Sequence, residues 1–129
     1  MFTVQQIELA HEKVKTGADF PKYIQDIKEL GVIAFETFVK DSHTQYFGEN
    51  NFSINSHPQY EELYIAEITD AHKFMAQLKL HQQGKTDYFT FCKDCAEAGI
   101  EKWKVDLNQM TCTYYDQSDH EILVEEIPN

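Results

Sequence analysis

What most narrows the folds open to this chain is that its two halves carry the same signals in the same order. Displacing the sequence by 68 positions lays Ala18 on Thr86 and runs without a gap to Phe47 on Tyr115. Asp19 falls on Asp87, Phe20 on Tyr88, Tyr23 on Phe91, Gly31 on Gly99, Phe35 on Trp103 and Tyr46 on Tyr114. Helix-capping acids meet helix-capping acids, chain-stopping glycines meet glycines, and large aromatics meet large aromatics. The closing segments realign after nine residues are dropped, with residues 62–68 lying over residues 121–127. We read two ααβββ units related by internal duplication, about residues 3–68 and 70–127, within a single α+β domain spanning 1–129. The nine unmatched residues, about 51–59, mark where the first half carries something of its own.

Local signals give each unit its elements. Thr3 followed by Gln6 is a capping-box pattern, and Val4, Ile7, His11 and Val14 line one face of a first helix running to about Thr16, closed by Gly17. Asp19 caps a second helix, Pro21 sits in its first turn, and Gly31 stops it. β-branched and aromatic residues then predict a strand over 32–39, a shorter one over 45–48, a loop or irregular hairpin over 49–60 and a third strand over 62–68. In the second half Asp70 caps a helix with Ala71, Phe74, Met75, Leu78 and His81 on its stripe, closed by Gly84. Thr86 and Asp87 open another, with Tyr88, Phe91, Cys92, Cys95 and Ala98 inward, closed by Gly99. Strands over 101–107, 110–116 and 121–127 complete a meander. A three-stranded sheet is marginal alone. The units therefore either close over a shared core or join edge to edge into one antiparallel sheet covered by four helices.

Composition removes several classes of function. The acids outnumber the bases 22 to 11, giving a net charge of −11. Every base is a lysine, so the forked donor that grips phosphates and guanine edges is missing and nucleic acid is not an expected partner. An acidic decoy imitating DNA ranks last, because the lysines are interspersed among the acids. No apolar run of membrane-spanning length and no signal-peptide pattern occurs, so no membrane partner is expected. Three cysteines, Cys92, Cys95 and Cys112, cannot form a complete disulfide framework, which with the missing export signal points to a reducing cytoplasm.

Chemistry-bearing patterns are sparse. Cys92 and Cys95 are formally C-x-x-C, but Cys92 falls about a turn and a half inside its helix, away from the terminal donors that would stabilise a thiolate. The six histidines, His11, His43, His57, His72, His81 and His120, form no metal-binding pair, and zinc lacks a fourth ligand. No nucleophile elbow, phosphate loop or dinucleotide fingerprint is present. No cofactor and no metal are expected. The aromatic strands offer more: Tyr114 shares a face with Cys112, while Tyr115 shares the other with Thr111 and Thr113, a polar-aromatic surface with Lys102 and Lys104 nearby.

The stretch from His81 to Cys92, Ala98 to Asp106 with its Trp103, Thr111 to Asp116, and the closing Glu126-Ile127-Pro128 resemble a bacterial family of unknown function. Its members are often labelled phage envelope protein and include YbcV- and YdfO-like prophage proteins. The resemblance implies a prophage association and, as family-typical positions, His81, Gln82, Thr86, Asp87, Tyr88, Thr90, Cys92, Trp103, Asp106, Tyr114 and Glu126. The expected function is a small cytoplasmic binding module without catalysis, recognising a protein or small molecule, with His81, Thr86, Asp87, Tyr88, Cys92, Trp103, Tyr114 and Tyr115 as candidate binding residues. Sheet edges left unpaired would also allow a homodimer. The rival is a small enzyme or thiol-dependent site around Cys92, His81 and Asp87.

Overall fold

The computed structural model describes residues 1–15 and 19–128. Its elements run α1 (Val4–His11), α2 (Phe20–Leu30), β1 (Ala34–Phe38), β2 (Thr44–Phe47), β3 (Ser53–Asn55), α3 (Ala71–Gln82), α4 (Tyr88–Glu97), β4 (Lys102–Asp106), β5 (Thr111–Tyr115) and β6 (Glu121–Glu126).

The caps explain most of the helix starts. Thr3 Oγ1 accepts from Gln6 N at 3.2 Å while Gln6 Oε1 accepts from Thr3 N at 2.9 Å, closing the expected capping box. Asp70 accepts from Lys73 N at 3.0 Å and Asp87 from Thr90 N at 2.8 Å. Asp19 departs from expectation: it stands at the N-cap of α2, but its Oδ2 accepts from Lys15 N at 2.8 Å and makes no cap bond to the helix. The first helix is also shorter than its pattern, ending at His11 because Lys13 N and Val14 N turn back to Ala10 O and His11 O in tight i→i−3 bonds. Thr16 and Gly17 lie outside the described residues. On α3, Phe74 and Leu78 are buried while Met75 is 44 % exposed, so the apolar stripe is narrower than the spacing implied.

All six strands form one antiparallel sheet in the order β3-β2-β1-β4-β5-β6. Of the two arrangements open to the units, this is the edge-to-edge one. The central β1–β4 register pairs Glu36 with Lys104, residues 68 positions apart, and mirrors Ala34↔Asp106 with Phe38↔Lys102 on either side. The same displacement separates the starts of α2 and α4, β1 and β4, and β3 and β6. It also separates residues with left-handed backbone, Gly31 and Gly99, Ser42 and Met110, Asn51 and Asp119.

That spacing corrects the third strand of the first half. It is β3 at Ser53–Asn55, not residues 62–68, and no nine-residue insertion falls at 51–59. The surplus residues lie in the connector between the halves. Residues 62–68 imitate a strand because Leu63 and Ile65 pack on the α3–α4 core while Tyr64 and Ile68 are 77 % and 85 % exposed. Their backbone bonds go to scattered partners, Leu63 N to Lys40 O and Ala66 N to Ala96 O, with no ladder.

Directly paired residues share a sheet face. One face carries Phe35, Tyr46, Ile54, Trp103, Val105, Cys112 and Tyr114 and is covered by the helices. Beneath α1 and α2, Ile7, Tyr23, Ile24 and Ile27 pack with Phe35 and Val105; beneath α3 and α4, Phe74, Leu78, Phe91 and Cys95 pack with Ile100 and Tyr114. Trp103 and Cys112 border both clusters. Glu36, Phe38, Lys102, Lys104, Thr113 and Tyr115 lie on the opposite face, and none of them belongs to either cluster.

Two glycines separate backbone freedom from close packing. A Cβ at Gly99 (φ 85°) would meet Ile68 O and Thr69 Cα, each at 2.9 Å, where the connector crosses the end of α4; at Gly84 (φ 77°) it would meet nothing within 4 Å. Gly84→Ala is expected to cost roughly 1–2 kcal/mol for left-handed backbone alone. Gly99→Ala adds overpacking of about 1–3 kcal/mol. Urea unfolding of the two variants side by side measures the difference.

Candidate functional site

The expected binding residues divide between the two faces of the sheet. His81 stacks on Phe91 with ring centroids 4.4 Å apart, Phe91 meets Trp103 at 5.8 Å, and Trp103 meets Tyr114 at 6.2 Å and Tyr88 at 6.3 Å. This run lies on the helix-covered side and joins α3, α4, β4 and β5. His81 Nδ1 donates to Thr86 O at 3.0 Å, fixing the α3–α4 loop, and Asp87 caps α4. Tyr115 stands apart on the opposite face, where Lys102 Nζ sits 5.4 Å from its ring and pairs with Glu36 at 3.2 Å.

Other positions that the resemblance implied serve folding too. Gln82 donates to the Glu125 carboxylate, Thr90 receives the Asp87 cap, and Asp106 Oδ1 accepts from Asn108 N and Gln109 N, each at 2.9 Å. Two of the thiols are enclosed and the third, Cys112, is half-buried. Cys92 and Cys95 are fully buried, and burial pushes their pKa values up; for Cys92 the nearby Tyr60 and Tyr88 hydroxyls offset part of the rise. Cys112 is pushed up to about 12, again mainly by burial. Neither His81 nor Asp87 is among the groups acting on the Cys92 thiol. These are the surroundings of inert thiols.

A different constellation forms where the halves meet. The β1–β2 turn is tight, with Ser42 in the left-handed region at φ 60°. Asp41 Oδ1 accepts from His43 N at 3.0 Å and lies 2.6 Å from His43 Nδ1. The His43 ring stacks on Phe38 with centroids 4.6 Å apart and planes 7° from parallel. Ser42 Oγ shares a hydrogen bond of 2.6 Å with Tyr88 Oη, which ties the turn to the start of α4. Tyr88 is 46 % exposed, yet its hydroxyl points inward and burial raises its pKa. Tyr60 Oη donates to Val39 O at 2.5 Å and Gln59 N to Asp41 O at 2.7 Å, binding the connector to the same turn.

Beside this turn lies a cleft of about 570 Å³, within the usual range for small-molecule sites of about 300–1,000 Å³. Phe38, Lys40 and His43 come from the first half, Glu62 to Ile65 from the connector, and Glu101 and Gln117 from the second half. Gln117 Nε2 donates to Ile65 O at 2.8 Å, holding the connector in place as a wall, and Lys40 Nζ lies 3.8 Å from Glu62 Oε1. A second hollow, against α1 and α2, offers only about 40 Å³, room for a few waters. No group of His, Cys, Asp and Glu able to hold a metal occurs among the described residues. Sequence patterning did not single out His43; the signal available was an acid two residues before a histidine at a strand end.

The family model for DUF1398, described as a protein of unknown function, matches residues 8–126. The chain belongs to that family. Comparison with curated proteins gives no match. No helix among the described residues is long and apolar enough to cross a membrane.

Two outcomes follow from these surroundings. Ellman's reagent at neutral pH should label all three native thiols slowly, at the rate at which the fold opens, and rapidly once the chain is unfolded in guanidinium. Asp41 is half of the second. Burial pushes its carboxyl pKa up, but the His43 backbone and ring outweigh that and leave it lowered. A lowered native pKa stabilises the fold above the unfolded value of about 3.9, and that stabilisation is lost as pH falls through the native value. Asp41→Asn should therefore cost about 2 kcal/mol at pH 7 and little once acid has protonated the wild-type carboxyl, as read by urea titrations across pH.

Proposed function

We propose that this DUF1398 protein is a small-ligand-binding module whose site is the cleft at the junction of its halves. The observation that carries the reading is that both units and the connector contribute walls to one hollow, with the His43 ring held at its edge by Asp41 and Phe38. Cytoplasmic location and prophage association complete the proposal, resting on the cysteine usage and on the resemblance to YbcV- and YdfO-like proteins. We read the repeated order of elements as the product of tandem duplication, supported by the displacement of 68 positions between the starts of α2 and α4, β1 and β4, and β3 and β6, and between three pairs of left-handed residues.

A thiol-dependent site around Cys92 has no comparable support, because the sulfur is enclosed and its pKa raised. The sheet edges themselves oppose homodimerisation by strand pairing. β3 offers three residues, and β6 carries Glu121, Glu125 and Glu126, which set like charges against one another in a self-pair.

Screening a library of neutral, fragment-sized compounds by amide chemical-shift mapping tests the cleft. Shifts should concentrate at residues 38–43, 62–65, 101 and 117. Shifts confined to the open face around Thr113 and Tyr115, or no reproducible cluster at all, would overturn the assignment.

A further inference from the structure

We infer that Asp41 and His43 form a general-base pair that activates water for hydrolysis of a small neutral acyl ester held in the cleft. This rests on the cleft being a ligand site and adds a reaction to it.

Tautomer, orientation and access all converge on one nitrogen. An ionised carboxylate only accepts hydrogen bonds, so the 2.6 Å contact to Asp41 Oδ1 makes His43 Nδ1 the donor and leaves Nε2 as the basic nitrogen. Nε2 has no protein partner among the described residues, and His43 lines the cleft with 24 % of its side chain exposed. The Phe38 stack and the Asp41 bond fix the ring plane from two directions, the preorganisation a proton acceptor requires.

The architecture supplies its own comparison. Displaced by 68 positions, Asp41-Ser42-His43 becomes Gln109-Met110-Thr111, where the same left-handed turn buries the Met110 side chain in the first core. A left-handed residue at the matching position therefore serves packing at one end of the sheet and sits within an acid–histidine pair at the other. A second such pair, His120 with Asp116 at 3.1 Å, lies in a solvent-exposed turn and lines neither hollow.

The lining selects the substrate class. It contains no serine, threonine or cysteine, and Lys40 is paired with Glu62, so water is assigned as the nucleophile that His43 activates. Leu63, Ile65 and Phe38 accept an apolar acyl or aryl group, and Lys40 brings positive charge toward a developing oxyanion. Glu62 and Glu101, with a net charge of −11 on the whole chain, oppose anionic phosphoesters and favour an uncharged ester. Water oxygen bonds to the carbonyl carbon as one water proton passes to His43 Nε2. The carbon–oxygen bond to the leaving group then breaks, and the imidazolium returns its proton to the departing oxygen. The products are a carboxylic acid and an alcohol or phenol, with no redox change. Asp41 acts through His43 as a positioning residue.

The test uses p-nitrophenyl butyrate with the full chain, following p-nitrophenolate release. His43→Gln should lower the rate roughly 100-fold, the lower end of what a positioned base contributes, and His120→Gln should leave it unchanged. Asp41→Asn, assayed where it remains folded, should lower kcat with KM unchanged. Equal rates in wild type and His43→Gln overturn the general base. If fragments still shift the cleft amides in that case, the binding site stands without it. A His43-dependent rate with no such shifts overturns the cleft as the site and with it this inference, leaving only a reactive histidine. Should His43→Gln fail to fold, carbethoxylation of the native protein replaces it: the rate should fall in proportion to modification of His43, mapped by mass spectrometry, and a rate indifferent to it overturns the inference.

Discussion

The antiparallel pairing of β1 with β4 is the interaction on which the rest of the molecule depends. Each unit alone is a three-stranded sheet with one apolar face, too small to hide that face securely. Pairing the two inner strands yields six strands, and both helical hairpins then share one continuous surface. The register is symmetric about Glu36 and Lys104, so the opposed charges of that pair sit at the local symmetry point. Because the paired strands are distant in sequence, the seam closes a long loop, and it is the contact most expensive in chain entropy.

Symmetry of backbone makes the asymmetries of sequence informative. The β1–β2 and β4–β5 turns adopt the same left-handed geometry at Ser42 and Met110, yet one holds hydroxyl, acid and imidazole while the other holds thioether. The connector accentuates the difference. It leaves β3, is fastened to the first turn through Gln59 and Leu63 and to the second half through Ala66 and Asp70, and so encloses space at one end of the sheet. A polar turn and an enclosing strap coincide there.

Most of the scaffold was legible in the sequence because it rests on local chemistry. Asp70, Asp87 and Thr3 announce helices by satisfying terminal amides within three residues, and Gly31 and Gly99 announce ends by tolerating positive φ. The alternation of Trp103, Val105, Cys112 and Tyr114 identified the buried face. Residues 62–68 misled for a physical reason: alternation reports which side chains are buried, not whether a neighbouring strand exists, and Leu63 and Ile65 are partly buried against the helix-side core. The cleft was less legible. Its walls come from segments joined only by tertiary contacts, and Asp41 and His43 sit in a turn whose sequence resembles any solvated loop. The aromatic residues that drew attention, Tyr88, Trp103 and Tyr114, are held together by packing.

Trp103 is the sole tryptophan and borders both buried clusters. Its indole therefore senses neither unit by itself but the boundary between them. Any state in which the two units keep their helices yet part company would change the polarity around that ring while leaving the far-ultraviolet dichroism almost intact. The chain thus carries an intrinsic fluorophore for deciding whether its halves melt together or one after the other.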